Sequence, residues 1–94
     1  YSGSSSTVTV TTGFSPRFVI IKRIDVDGND WIMYDQDRSS GTNMNDYLVP
    51  NDSLQEITNS AIDIDATATG FTVESGNWVG INTSGGSYIY MAFK

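Results

Sequence analysis

The chain has 94 residues, enough for one domain, and its 11 acids against 5 bases leave a net charge of -6. With no cysteine and no histidine, it lacks disulfides, the usual zinc ligands and every Ser-His or Cys-His nucleophile pair. The bases Arg17, Lys22, Arg23, Arg38 and Lys94 are scattered, so no basic patch offers itself to nucleic acid or an anionic membrane, and no apolar run is long enough to insert in a bilayer.

Folding a chain of this size buries roughly 60 to 65% of the surface of its unfolded form, so one modest core is expected. Without disulfides that core either suffices alone or is supported by neighbouring copies or domains. The start "YSGSSSTVTV" has neither an initiator Met nor a signal-peptide pattern, and residues 1–94 are expected to be a single β domain of a longer protein.

Taken in chain order, "STVTVTT" alternates Val8 and Val10 with Thr7, Thr9 and Thr11, the period of a half-buried strand. "GFSP" then turns the chain, and Pro16, which has no N–H for a ladder, belongs just before the next strand. The block Phe18-Val19-Ile20-Ile21 is apolar on both faces and reads as a central strand covered twice. "DVDGND" follows, with Asp25, Asp27 and Asn29 at alternate positions like the first ligands of a calcium loop. It lacks the Gly at position six and the Glu at position twelve, and Asp, Gly and Asn are also what a hairpin tip requires. A turn is therefore expected, with no metal.

Residues 30 to 36 set Trp31 and Met33 on one face and Ile32 and Tyr34 on the other, a strand that closes a hairpin with its predecessor. "QDRSSGTNMND", residues 36 to 46, holds one apolar residue, Met44, and reads as a long exposed loop. "YLVP" is a short strand ended by Pro50. Ser53 and Glu56 have capping-box spacing, which predicts a single helical turn. Ile62 and Ile64, Phe71 and Val73, and Val79 and Ile81 then alternate with polar neighbours in three further strands. After a Gly85-Gly86 turn, Ile89, Met91 and Phe93 oppose Tyr88, Tyr90 and Ala92 in a last strand expected to be central. About seven short strands with hardly any helix predict an all-β fold, an antiparallel β-sandwich or barrel-like domain.

Three constellations touch on function. The pairs Asp35/Asp37 and Asp63/Asp65 have the i, i+2 spacing that puts two carboxylates about 7 Å apart on one strand face, a distance reminiscent of glycosidases. A chain of 94 residues has little material for a sugar-shaped cleft, and solvated strand faces are the expected role. Trp31, Trp78, Tyr34, Tyr47, Tyr88 and Tyr90 could stack on sugar rings, although most aromatics in so small a domain belong to a core or a subunit interface. "TSGGS" has no Lys and no helix after it, so it is a turn and not a phosphate loop.

The succession "TTGFSPRFVIIKR", "NDWIMYDQDR", "YLVPNDSLQE", "TGFTV" and "INTSGGSYIYMAFK" resembles a β domain recurrent in tailed-bacteriophage tail fibres and virion surface proteins, often beside lectin-like modules. The resemblance spans the chain and carries no catalytic residues or cofactor. It implies a virion location at the particle surface and other virion subunits as partners, with homo-oligomers expected. A host cell-surface glycan or protein is the further partner it suggests. The loops at 25 to 30, 36 to 46 and 74 to 77 lie outside the shared pattern. Their Asp27, Asn29, Asp30, Arg38, Asn43, Asn45 and Asn77, with Trp78 beside them, are the candidate ligand contacts. The expected function is a noncatalytic tail-fibre or appendage module for host-surface recognition. A head-decoration or fibre-assembly module and a glycan-degrading enzyme are the alternatives.

Overall fold

A computed structural model of the chain describes residues 1–39, 41–74 and 78–94. Strands β1 (Val8–Thr11), β2 (Phe18–Arg23) and β3 (Ile32–Asp35) are followed by one helical turn, α1 (Gln36–Ser39). Strands β4 (Asn43–Met44), β5 (Asp46–Leu48), β6 (Ile57–Thr58), β7 (Ile64–Thr67), β8 (Gly70–Val73) and β9 (Tyr88–Phe93) complete the described elements. They form two antiparallel sheets, one ordered β1-β8-β7-β4 and the other β6-β5-β3-β2-β9. The all-β sandwich expected from the alternating patterns is the fold.

The core lies between the sheets. Val19 and Ile21 of β2, Ile32 and Tyr34 of β3, and Tyr47 of β5 face Val10, Ile64, Ala66, Phe71 and Val73 of the other sheet, and all are buried. Each strand contributes alternate residues, as the pleat requires. Gly70 fits at the β1–β8 crossing because a Cβ there would come within 1.9 Å of the Val10 carbonyl oxygen. Tyr1 closes one end: its ring stacks on Tyr88 at 4.9 Å and its hydroxyl donates to the Ile81 carbonyl at 2.7 Å.

Several expectations are corrected. Residues 36 to 46 are not one exposed loop: α1, β4 and the start of β5 lie there, and Met44 is wholly buried. Its partners are Ile64 and the rest of β7, about twenty residues on, so nothing in the local pattern betrays its burial. Asp35 starts α1 by accepting the N–H groups of Asp37 and Arg38 on Oδ1, the N-cap arrangement. The helical turn expected at Ser53–Glu56 does not form, and Leu54 is exposed, so no apolar contact supports one there. Residues 78 to 82 form a turn instead of a strand, with the Trp78 carbonyl accepting the N–H groups of Ile81 and Asn82.

Two further corrections concern the five-stranded sheet. Strand β2 is central in it but buries only Val19 and Ile21, whereas Phe18 and Ile20 are half-buried on the outer face. Strand β9 is an edge strand, not a central one, and its Ile89, Met91 and Phe93 are exposed. Among the described residues, no second layer covers the outer face of β2 and β9.

Candidate functional site

Strand register assembles that outer face row by row. Met91 of β9 lies beside Ile20 of β2, Ile20 beside Met33 of β3, and Met33 beside Leu48 of β5. On one side of this row Phe93 and Phe18 are paired, with ring centroids 5.7 Å apart, and Asp35 follows on β3. On the other side Ile89 lies beside Lys22. Ile20, Met91, Trp31, Pro50 and Asn51 line an open groove of about 300 Å³. The middle of the face is therefore apolar across four strands, with charge only at its borders.

The hairpin tip, residues 25 to 30, stands next to the groove. Gly28 adopts φ +90, which the turn requires and which side chains rarely accept. Asp25 receives Arg23 Nε at 2.8 Å and Arg23 Nη2 at 3.0 Å, and it also accepts the Ser87 N–H at 3.0 Å. The Arg23 hydrogen bonds and the Ser87 N–H hold the Asp25 carboxyl well below the usual carboxylate range. Asn51 ties the groove to the tip: its Nδ2 donates to Asp30 Oδ1 at 2.9 Å and its Oδ1 accepts the Trp31 N–H at 3.0 Å. The connection is thus a braced loop joining β2 to β3. Among the described residues, no three His, Cys, Asp or Glu side chains gather in a way that could hold a metal ion.

The predicted contacts do not converge on one site. Asp27, Asn29 and Asp30 precede β3, whereas Arg38 follows it, at the far end of a strand about 13 Å long at about 3.3 Å per residue. Arg38 Nε pairs with Glu56 Oε1 at 2.9 Å. Asn43 belongs to the other sheet, where its Nδ2 bridges Asp63 Oδ2 at 2.9 Å and Asp65 Oδ1 at 2.8 Å. The Asn45 carbonyl accepts the Asn59 N–H, and the Trp78 N–H donates to the Ala61 carbonyl. Asn77 lies outside the described residues. Arg38 in α1, Asn43 in β4 and Asn45 just after it therefore sit apart from the tip.

The two acid pairs also have structural partners. Asp35 caps α1, and Asp37 forms an ion pair with Arg17. Asp63 is buried, which corrects the expectation of a solvated strand face. The feature that sequence reasoning missed is the outer face itself. Its signal lies in the doubly apolar run Phe18–Ile21 and in Ile89, Met91 and Phe93, residues whose local pattern is the same for a strand covered on both faces.

Two antiparallel sheets over a single core, with one sheet exposing an apolar outer face, define a β-sandwich domain. The chain belongs to the family described as Domain of unknown function (DUF7483), whose model matches residues 1–94. No curated protein and no solved structure matches it.

Proposed function

We propose that the domain is a noncatalytic module of a bacteriophage virion, a tail-fibre or appendage domain that takes part in recognising the host surface. The observation that carries this reading is the apolar outer face of the five-stranded sheet in a chain of net charge -6. Contiguous apolar patches rimmed by polar groups mark interaction surfaces. The braced tip beside it presents Asp27, Asn29 and Asp30, whose carboxylates and amide suit the hydroxyl groups of a surface glycan. Weak contacts of this kind become useful when many copies act together. The resemblance to virion surface proteins supplies the setting.

The test couples the chain to beads at high density and measures their attachment to host cells and to purified surface polysaccharide. Attachment that falls at least tenfold in N29A/D30A supports host recognition, and no attachment to any host of the parent phage defeats it. The same apolar face favours a second reading, an assembly module of the fibre or head, in which beads would bind virion subunits and no cells. The glycan-degrading alternative predicts polysaccharide hydrolysis that disappears in D35N or D63N. Against it stand the structural partners of both acid pairs.

A further inference from the structure

We infer that the outer face of the five-stranded sheet is a self-docking surface, which a second copy of this chain covers through a two-fold axis. This rests on the reading of the domain as an interaction module and names the partner of that face.

Three observations select a second copy. The first is the charge pattern. Lys22 and Asp35 sit on diagonally opposite borders of the face, and the Ile20–Met33 pair lies between them. A two-fold axis lying in the interface, passing through that pair at right angles to the Lys22–Asp35 diagonal, brings Lys22 of each copy opposite Asp35 of the other. A self-complementary patch of this kind is what a closed, isologous dimer requires.

The second is apolar continuity. The axis passes through the Ile20–Met33 pair, so this uncharged pair of one copy lies over the same pair of the other.

The third is extent. Ile89, Met91 and Phe93 are 45%, 55% and 54% exposed. At about 200 Å² for a large exposed side chain, these three alone present on the order of 300 Å² of apolar surface. A stable interface takes about 800 Å² per partner, and the domain is 30 Å across in two of its dimensions. Net charge -6 on each copy opposes association elsewhere, while the centre of this face carries no charge.

Sedimentation of the 94-residue chain across a concentration series tests the inference. The wild type should dimerise, and M91K and F93S, at exposed positions outside the core, should each weaken the dimer at least tenfold with melting retained. Because the chain has no native cysteine, K22C and D35C place thiols at will. Sheets packed face to face lie about 10 Å apart, so a bis-maleimide of similar span should join a K22C copy to a D35C copy at least tenfold more efficiently than two K22C copies. A monomer at all concentrations, a dimer indifferent to M91K, assemblies that keep growing with concentration, or random crosslinking would each overturn it. A chain that stays monomeric while its beads still bind host cells refutes self-docking alone. A dimer whose beads bind no host cell refutes host recognition alone.

Discussion

At the scale of single residues, the polar groups that matter most are those that join segments far apart in the chain. Asn82 is buried, accepts the Ser4 N–H on Oδ1 at 2.8 Å and donates Nδ2 to the carbonyls of Ser6 and Glu74 at 3.2 and 3.0 Å. N82A would leave the half-buried Ser4 N–H without its acceptor and the Ser6 and Glu74 carbonyls without this donor. A loss of about 1–2 kcal/mol is expected, read as a lower urea midpoint with an unchanged slope. The Asp25 carboxyl is held below its unfolded value by Arg23 and Ser87. A lowered folded pKa contributes stability that is present above the unfolded value, near 4, and fades as pH falls through the folded one. The melting gap between wild type and D25N should therefore be full at pH 7 and shrink progressively below about pH 4. A gap that is constant over that range would remove the carboxylate as its cause. Tyr34 gives the opposite edge: burial pushes its hydroxyl well above the ordinary 10. Its stabilising effect is complete below about pH 10 and is lost as pH rises beyond it, so alkaline unfolding should be accompanied by tyrosinate absorbance.

At the scale of elements, β4 is the smallest piece that decides something large. Two residues, Asn43 and Met44, pair with β7 and put Met44 wholly inside. M44A should cost about 2–5 kcal/mol, the range for emptying a well-packed site. L54A should fall within about 0.5 kcal/mol of wild type, because Leu54 is exposed. Equal effects of the two changes, measured by denaturant titration, would contradict the placement of both segments. The contrast also shows what local pattern can convey. Strands β1, β7 and β8 announce themselves by alternation, and β2, β3 and β9 by apolar runs of four residues or more. A lone Met between polar residues looks like a loop, and Ser53 with Glu56 looks like a cap, because neither segment carries its partner in its own sequence. In the same way Trp78 to Asn82 alternates as a strand would, yet its backbone bonds close a turn.

At the scale of the whole molecule, the tip and the outer face belong to one end and one side of a single sheet, whereas the acids at 63 and 65 belong to the other sheet. The brace on Asp25 and the Asn51–Asp30 bond tie the tip to the sheet through side chains. Removal of calcium with a chelator should accordingly leave the melting temperature unchanged, and a drop of several degrees in a thermal scan would give "DVDGND" back to a metal.

The sequence alone determined the class of fold and the position of the main strands, because period-two alternation in β1, β7 and β8 and unbroken apolar runs in β2, β3 and β9 are properties of the strand itself. It left open which face of β2 and β3 turns inward. It also contained the apolar residues of the outer face, but not their exposure. Whether a doubly apolar strand is covered once or twice depends on how many layers stack on its sheet, and whether β9 is central or at an edge depends on which strand lies beside it. Those are relations between distant segments, and pairing across the sandwich decided them: one layer of partners is present, and the second face of β2 and β9 meets none among the described residues.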